Sequence, residues 1–121
     1  MKKSLDAREK DKAVGRTYDR LFVRHWDAWG NGARSHLFVA PLGAEGKAGA
    51  PVDLSKALDA DVPSKPFGGD EEYAFSPDST RIVFSARVAG REEAWSTNFD
   101  LYEVPLTQAA APANLTADNP A

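Results

Sequence analysis

The apolar positions of this chain fall in short runs, separated by turns rich in glycine, proline and acidic residues. The runs are rich in β-branched and aromatic residues, which favour strands; they span 20–26, 35–42, 51–55, 71–75, 80–88, 99–106 and 112–116. Asn31-Gly32, between the runs 20–26 and 35–42, is a strong hairpin-turn dipeptide, which predicts a hairpin of these two strands. In "SPDS" (76–79), Pro77 presets φ and Asp78 can bond the local backbone. The pattern predicts short antiparallel strands joined by tight turns.

Two segments depart from this pattern. Residues 4–17 are polar and helix-prone, with Ser4 as a candidate cap, which predicts a short helix within an N-terminal segment 1–19. Residues 57–70 contain two prolines and the pair Gly68-Gly69, which break regular structure. This stretch is therefore interpreted as a connector.

The strand pattern repeats along the chain. Leu42 and Leu106 each follow a proline at a strand end, and they lie 64 residues apart. The later unit, 71–117, shows four strands, whereas the earlier unit, 20–56, shows the last three; 118–121 form a tail. Several strands are apolar at consecutive positions, which favours a sheet covered on both faces.

Small four-stranded sheets stacked face to face are typical of a β-propeller. The predicted fold is all-β: about one and a half four-stranded antiparallel β-propeller blades with a short N-terminal helix.

Composition narrows the possible functions. The 121 residues carry a net charge of −3 and a sequence pI of about 5.3, which argues against a nucleic-acid partner and against an anionic membrane surface. The chain has no cysteine, so disulfides, thiolate metal sites and a cysteine nucleophile are excluded. No apolar run is long enough to span a bilayer. Lys2 and Lys3 precede a charged stretch rather than an apolar one, so the sequence as written predicts no export signal.

Residue types that could support catalysis are present without a recognisable site. His25, Asp27, Ser35 and His36 are the types found in a serine triad, but no pattern indicates a strained nucleophile turn with an oxyanion hole. We expect structural roles for both histidines and no catalytic residue. The two histidines lack an H-E-x-x-H spacing, so no metal and no cofactor are predicted.

The strings "FSPDSTRIVFSAR", "NFDLYEVPL" and "NLT" resemble a propeller repeat shared by periplasmic Tol-Pal translocation proteins and prolyl oligopeptidase-family serine peptidases. The longer strings "YDRLFVRHWDAW", "RSHLFVAPL", "DADVPSKPFGG" and "EAWSTNFDLYEVPL" resemble the acylaminoacyl-peptidase and dipeptidyl-aminopeptidase branch of that family. The resemblance covers about residues 15 to 121. Ser79 replaces the glycine that is usual in the repeat, so we expect an altered but retained turn.

The resemblance implies that a propeller domain and a catalytic domain have different roles. In that family a propeller precedes an α/β-hydrolase domain with a Ser–Asp–His triad, restricts access to it, admits short peptides and helps to hold their N-termini. This chain has no G-x-S-x-G nucleophile elbow. At roughly 40 to 50 residues per blade and at least four blades per ring, it cannot close a propeller alone.

The chain is thus interpreted as a non-catalytic propeller segment, inactive alone. Its expected partners are a hydrolase domain or further blades, and short peptides. The alternative is a stand-alone interaction module whose exposed strand edges pair with another chain or with copies of itself.

Two acidic pairs are candidates for substrate binding. Some dipeptidyl members of the family grip the free amine of a substrate with a glutamate pair, through charge-assisted hydrogen bonds. Glu71-Glu72 and Glu92-Glu93 both supply such a pair, and a solvated charge cluster is the competing interpretation. Glu92 and Glu93 are the preferred candidates because they lie in the long loop of the four-stranded unit.

Two further patterns have a functional and a structural interpretation. The tryptophans could form a peptide-binding face or pack between blades; they are Trp26, Trp29 and Trp95. Asn114-Leu115-Thr116 matches a glycosylation sequon, but it also closes the last predicted strand.

Overall fold

The computed structural model describes residues 12, 15, 17–21, 23–107 and 110–119, and the structure in this part of the chain is almost entirely strands, turns and loops. The N-terminal helix predicted over 4–17 lies mostly outside the described residues. The only helical elements within them are two short 3-10 turns, Asp70–Glu72 and Gly90–Ala94. The strands are β1 (Arg24–His25), β2 (Ala28–Trp29), β3 (Phe38–Val39), β4 (Val52–Asp53), β5 (Tyr73–Phe75), β6 (Arg81–Ala86), β7 (Asp100–Pro105) and β8 (Ala113–Asn114).

Strands β5 to β8 form one four-stranded antiparallel sheet in which each strand pairs with the next along the chain. Each strand lies within a run predicted from the sequence. In the register, Phe84 lies opposite both Tyr73 and Tyr102, and Tyr102 lies opposite Asn114. We call residues 71–116 the second unit.

The turn between β5 and β6 has the predicted position and chemistry. Asp78 Oδ1 accepts hydrogen bonds from the Ser76 hydroxyl at 2.6 Å, from the Thr80 hydroxyl at 2.9 Å and from the Thr80 N–H at 3.1 Å. These bonds, that from Ser76 first, lower the pKa of Asp78 to about 2. Ser79 has a φ of 57°, in the left-handed region where glycine carries no penalty. The turn is therefore retained with a strained serine.

The N-terminal strands differ from the expected pairing. The run 20–26 does not pair with 35–42 across Asn31-Gly32; β1 instead pairs with β2, and the chain reverses at Trp26 with a φ of 50°. Ring contacts stabilise this short hairpin, since Trp29 stacks on Tyr18 at 6.0 Å and lies beneath the Arg24 guanidinium at 5.4 Å. Asn31 makes a local turn, with its side chain accepting a hydrogen bond from the Ala33 N–H at 2.9 Å.

Strands β3 and β4 form a separate antiparallel pair, with Phe38 opposite Asp53 and Val39 opposite Val52. We call residues 34–62 the first unit. It carries a two-stranded sheet, whereas the sequence predicted the last three strands of a four-stranded one.

One hydrophobic core joins the two units. The second unit contributes alternate residues from one face of its sheet, and the first unit covers them; the buried side chains are Ile82, Phe84, Ala86, Tyr102 and Val104 with Leu37, Leu54, Ala60 and Val62. The rings of Phe84 and Tyr102 stack at 5.9 Å. The opposite face of the sheet carries Val83, Leu101 and Pro105 and remains partly or fully exposed. Within the described residues, the sheet is therefore covered on one face rather than on two.

Candidate functional site around Glu92 and Glu93

The preferred glutamate pair lies on the 3-10 turn Gly90–Ala94, which follows β6. Gly90 enters the turn with a φ of 55°, a conformation open to glycine at no cost. The Glu92 carbonyl then accepts hydrogen bonds from the N–H groups of Trp95 at 3.0 Å and Ser96 at 2.8 Å. Because a 3-10 turn has about three residues per turn, consecutive side chains point about 120° apart. The two carboxylates thus meet different surroundings.

Glu93 is bound within the protein. Its Oε1 and Oε2 accept hydrogen bonds from Arg34 Nη1 and Nη2, each at 2.7 Å, in a two-pronged ion pair. The side chains of Arg34 and Glu93 are 20% and 14% exposed, so water screens this pair only partly. Arg34 belongs to the first unit and Glu93 to the second, and the ion pair therefore joins the two units.

Arg34 also contacts two aspartates of its own unit. Its Nε donates to Asp59 at 3.1 Å and its Nη1 to Asp61 at 3.1 Å. The hydrogen bond that Arg34 donates to Glu93, more than any other influence, raises the pKa of Arg34. We call these four residues, Arg34 with Asp59, Asp61 and Glu93, the Arg34 cluster.

Both aspartates of the cluster are held ionised. Burial alone would raise the pKa of Asp61, but the Ser35 N–H at 2.6 Å, Lys65 at 3.0 Å and Arg34 outweigh it, and the pKa lies below its ordinary value. The pKa of Asp59 is also lowered, first by its hydrogen bond from Arg20 at 2.8 Å and then by Arg34.

Arg87 approaches Glu93 from the end of β6. Its Nη2 lies 4.0 Å from Glu93 Oε1, its Nη1 donates to the Ser96 carbonyl at 3.1 Å, and its guanidinium lies 5.4 Å from the Phe99 ring centroid. Its Nε is buried and has no hydrogen-bond partner among the described residues. Two cations therefore face Glu93, which leaves this carboxylate poorly suited to bind a third while the cluster is intact.

Glu92 is exposed, and it has the position that Glu71 has in the other acidic pair. On the 3-10 turn Asp70–Glu72, Glu72 accepts hydrogen bonds from the N–H and the hydroxyl of Ser64, each at 2.6 Å, whereas Glu71 is exposed. In each pair the second carboxylate is bound within the protein and the first faces solvent. For an incoming ammonium group, Glu92 is the accessible carboxylate of the preferred pair. Substrate binding by Glu92 and Glu93 stays a prediction.

The residue types of a serine triad do not meet in one site. His36 Nδ1 lies 2.6 Å from Asp53 Oδ2, and the Ser35 N–H donates to Asp61. His25 stacks on Trp26 at 5.2 Å and meets the edge of Phe67 at 5.7 Å. No group of three metal-ligating side chains occurs among the residues that the structure describes. That part of the chain also contains no helix with the length and apolarity needed to cross a membrane.

The tryptophans and the sequon have identifiable environments. Trp26, Trp29 and Trp95 are all exposed in this chain. The Asn114 side chain accepts a hydrogen bond from the Thr116 N–H at 2.9 Å, which closes the strand end as its structural interpretation predicts.

Arg34 is the residue that sequence reasoning missed. It follows a glycine-rich turn and opens the string "RSHLFVAPL", which gives no indication of its partners. The available signal was Asp59-Ala60-Asp61, in which two acidic residues flank a small apolar one; in the structure both carboxylates contact Arg34. That pattern indicates a cation nearby but not which one.

Comparisons with known proteins relate the chain to dipeptidyl peptidases. Dipeptidyl-peptidase 5 of Porphyromonas endodontalis is 36% identical over 111 residues, which cover 88% of this chain and 15% of the relative. The enzyme of the same name from Porphyromonas gingivalis is 34% identical over 98 residues, covering 80% of this chain and 14% of the relative. That from Aspergillus fumigatus is 32% identical over 108 residues, covering 82% and 15%.

The chain spans about a seventh of the length of these curated relatives. No protein-family model matches it, and no solved structure matches it. The similarity supports a relationship to dipeptidyl peptidases.

Proposed function

We propose that this chain is a non-catalytic propeller segment of a dipeptidyl peptidase, which helps to admit and position short peptides for a hydrolase domain outside these 121 residues. The observation that carries the proposal is similarity over most of this chain combined with coverage of only a small part of each relative, 88% and 15% in one case. A short segment without the nucleophile motif is suited to shaping the substrate site of a large enzyme rather than to supplying its reacting groups.

The sheet of the second unit supports the propeller assignment. Its four strands follow one another in an antiparallel meander, which is the arrangement of a propeller blade. One face packs on the first unit, as neighbouring blades pack in a ring.

Within this proposal, Glu92 is the residue that meets the substrate amine. It is exposed on a turn fixed by two backbone hydrogen bonds, while Arg34 holds Glu93 in place beside it. An ionised carboxylate at a fixed position favours an ammonium group through a charge-assisted hydrogen bond.

A segment exchange tests the proposal. The matching segment of the Porphyromonas gingivalis enzyme is replaced by the aligned residues of this chain, and the purified chimera is assayed for release of dipeptides. We expect activity to be retained, because the segment supplies structure and substrate contacts rather than the reacting groups. A folded chimera with an intact hydrolase domain and no activity contradicts the proposal.

Substitutions in the chimera test the amine contact. Glu92→Gln removes the charge, so KM for peptides with a free amino terminus rises while kcat changes little. Glu71→Gln is the matched control, an exposed glutamate on the other 3-10 turn, and it leaves both constants unchanged. Equal KM and kcat values for the two variants would show that Glu92 does not contact the substrate amine.

A stand-alone interaction module is the second candidate function. Large apolar side chains favour it, since Phe38 of the first unit and Leu101 and Leu115 of the second unit are exposed. The isolated chain would then bind another protein without any role in peptide hydrolysis. A chimera that works as a peptidase excludes this candidate as the sole function.

A further inference from the structure

Asn31 differs from the other asparagines of the chain in the residue that follows it. The chain has four asparagines, and only Asn31 precedes a glycine; the others precede Phe99, Leu115 and Pro120. A main-chain nitrogen that follows an asparagine can attack the side-chain amide carbon, because the product is a five-membered imide ring. Glycine has no side chain to shield this nitrogen. The pair Asn31-Gly32 therefore has the chemistry needed for self-modification.

The local structure leaves the attacking group free. The Gly32 N–H has no hydrogen-bond partner among the described residues. Asn31 and Gly32 are both exposed, and a methyl group built on Gly32 would meet no atom beyond its chain neighbours within 4 Å. The nitrogen can therefore lose its proton to solvent, and the ring has room to form.

The side chain of Asn31 is already folded over its own main chain. Its Oδ1 accepts a hydrogen bond from the Ala33 N–H at 2.9 Å. This bond confines the side-chain amide to the turn, which raises its effective concentration beside the Gly32 nitrogen. It also places a donor on the oxygen where negative charge develops during the attack, as an oxyanion hole does. The turn thus favours the reaction by position and by charge.

Asn114 provides a matched comparison within the same chain. Its Oδ1 accepts a hydrogen bond from the Thr116 N–H at 2.9 Å, so its side chain is held in the same way. The nitrogen that follows it belongs to Leu115, whose N–H donates to the Leu101 carbonyl at 2.7 Å. Attack there requires this bond to break, and the leucine side chain shields the nitrogen. The two asparagines therefore differ in the attacking nitrogen and not in the side-chain hydrogen bond.

We propose that Asn31 is a site of spontaneous deamidation and isomerisation, and that the isomerised product weakens the contact between the two units. The Gly32 nitrogen forms a bond to Asn31 Cγ, the Cγ–Nδ2 bond breaks, and Nδ2 leaves as ammonia after gaining the proton that the Gly32 nitrogen loses. Water then opens the imide. Opening at Cγ gives aspartate, whereas opening at the main-chain carbonyl gives isoaspartate, in which the main chain runs through the former side chain.

Isoaspartate adds one carbon to the main chain of a segment that is fixed at both ends. On one side, the Gly30 N–H donates to the Val23 carbonyl at 2.8 Å. On the other side, Arg34 donates to both carboxylate oxygens of Glu93, each at 2.7 Å. Only residues 31–33 lie between these anchors. A two-pronged pair has strict geometry, so we expect the added length to disturb the contact of Arg34 with Glu93.

Aspartate, the other product, changes the charge but not the length of the main chain. Its carboxylate can accept the same hydrogen bond from the Ala33 N–H, so the turn and Arg34 stay in place. Comparing the two products therefore separates an effect of chain length from an effect of charge. The inference goes beyond the peptidase-segment proposal and does not depend on it, because the reaction involves no substrate and no hydrolase domain.

The first experiment follows the modification directly. The 121-residue chain is incubated at mildly alkaline pH, where more of the main-chain nitrogen is deprotonated, and samples are cleaved after arginine. Asn31 lies in the peptide 25–34 and the other three asparagines lie in 92–121, so mass spectrometry measures them separately. Loss of one hydrogen bond of ordinary strength accounts for about tenfold in rate, so we expect Asn31 to react at least about tenfold faster than Asn114.

Two further conditions test whether the local structure is responsible. Asn31→Gln would have to form a larger, six-membered ring, so its peptide 25–34 should stay unmodified. Guanidinium chloride unfolds the chain and removes the hydrogen bonds of both Ala33 and Leu115. Modification of Asn31 should then be no faster than in buffer, whereas modification of Asn114 should be faster.

Stability measurements test the consequence for the two units. The isoaspartate form is separated by ion exchange and identified by enzymatic methylation of its free α-carboxylate. Its urea midpoint should be lower than that of the fresh chain, whereas freshly purified Asn31→Asp should keep the midpoint of the fresh chain. This comparison needs no destabilised variant.

The role of Arg34 is tested by ageing two arginine variants. In Arg34→Met the contact with Glu93 is already absent, so ageing should lower the urea midpoint less than it does in the unmodified chain. Arg81→Met keeps that contact, and its midpoint should fall on ageing as much as that of the unmodified chain.

Several results would overturn the inference. An unmodified peptide 25–34, equal rates at Asn31 and Asn114, or a faster reaction of Asn31 in guanidinium chloride would contradict the assignment of the site. An isoaspartate form with an unchanged midpoint, or an equally low midpoint for Asn31→Asp, would contradict the effect of chain length. Equal losses on ageing in Arg34→Met and Arg81→Met would exclude Arg34 from the explanation. The segment exchange measures peptide hydrolysis, so failure of either proposal is distinguishable from failure of the other.

Discussion

The first and second units share a hydrogen-bond pattern, since the Leu54 N–H donates to the Leu37 carbonyl in one and the Leu115 N–H donates to the Leu101 carbonyl in the other. Only the second unit contains a four-stranded sheet. In the second unit, β6 and β7 pair over six residues, so its backbone groups are satisfied locally. In the first unit, β3 and β4 pair over two residues, and Leu54 and Val62 are buried by packing on the neighbouring sheet. Hydrogen bonds from the backbone to side chains such as Ser55 and Thr116 define the local backbone geometry of each unit. Packing against the neighbouring unit determines which side chains of each unit are buried.

The largest effect we expect comes from the corresponding leucines. Leu54→Ala removes a fully buried side chain and should lower the free energy of unfolding by about 2–5 kcal/mol. Leu115→Ala alters an exposed position and should cost less than about 0.5 kcal/mol in the monomer. Urea denaturation of both variants at low protein concentration measures the difference. Equal losses would mean that the two units contribute alike to the core.

A smaller effect is expected for the ion pairs. Arg34→Met breaks the two-pronged pair with Glu93 and should lower stability by about 1–3 kcal/mol, because the pair is mostly buried. Arg81→Met removes the more exposed pair with Glu103 within the second unit and should cost at most about 1 kcal/mol. A double-mutant cycle between Arg34 and Glu93 isolates the coupling between the units. A coupling near zero would show that the Arg34 cluster does not hold the units together.

Substitutions at the two turns that hold a left-handed residue, Trp26 and Ser79, should raise stability rather than lower it. Ser79→Gly relieves a left-handed serine and should raise stability by about 0.5–1 kcal/mol, since part of the relief is offset by the entropy of glycine in the unfolded chain. Trp26→Gly relieves the same kind of strain in the N-terminal hairpin but loses the ring contact with His25, so its gain should be smaller. Thermal unfolding of both variants ranks them. A greater gain for Trp26→Gly would contradict this account of the hairpin.

The smallest effect concerns acid pH. The pKa of Asp61 is lower in the folded chain than in the unfolded chain, so its stabilising contribution is complete above the ordinary aspartate value of about 3.8. The contribution is lost as the pH falls through the lower folded value. Asp61→Asn should therefore flatten the decline of stability as the pH falls below about 5. Denaturation midpoints across that range, with Glu71→Gln as an exposed control, measure the change.

The sequence predicted the second unit well because its determinants are local. Runs of β-branched and aromatic residues, together with the hydrogen bonds of Asp78 in the turn, specify the four strands and their order. The pairing of the N-terminal run was wrong because Asn31-Gly32 is only one of two turns available there. The contacts of Trp29 with Tyr18 and Arg24 favour the other turn, and contacts between side chains distant in sequence leave no periodic signal.

Substrate binding by the candidate pair stays a prediction, and the contacts that the pair makes in the structure could not be inferred from the sequence. The sequence identifies Glu92 and Glu93 as a pair on a polar loop. Their unequal environments depend on Arg34, which lies 59 positions away from Glu93 and reaches it only because the first unit packs on the sheet. A partner brought in by tertiary packing cannot be inferred from local composition.

The two-pronged ion pair between Arg34 and Glu93 also has a consequence for separation of the two units. If the units separate, Arg34 loses its contact with Glu93 but keeps those with Asp59 and Asp61. The positive charge of Arg34 therefore stays neutralised. Glu93 leaves with no such compensation beyond the more distant Arg87 and becomes accessible next to Glu92. The contact between the units thus divides the acidic pair, since it holds Glu93 in the interior while Glu92 faces solvent.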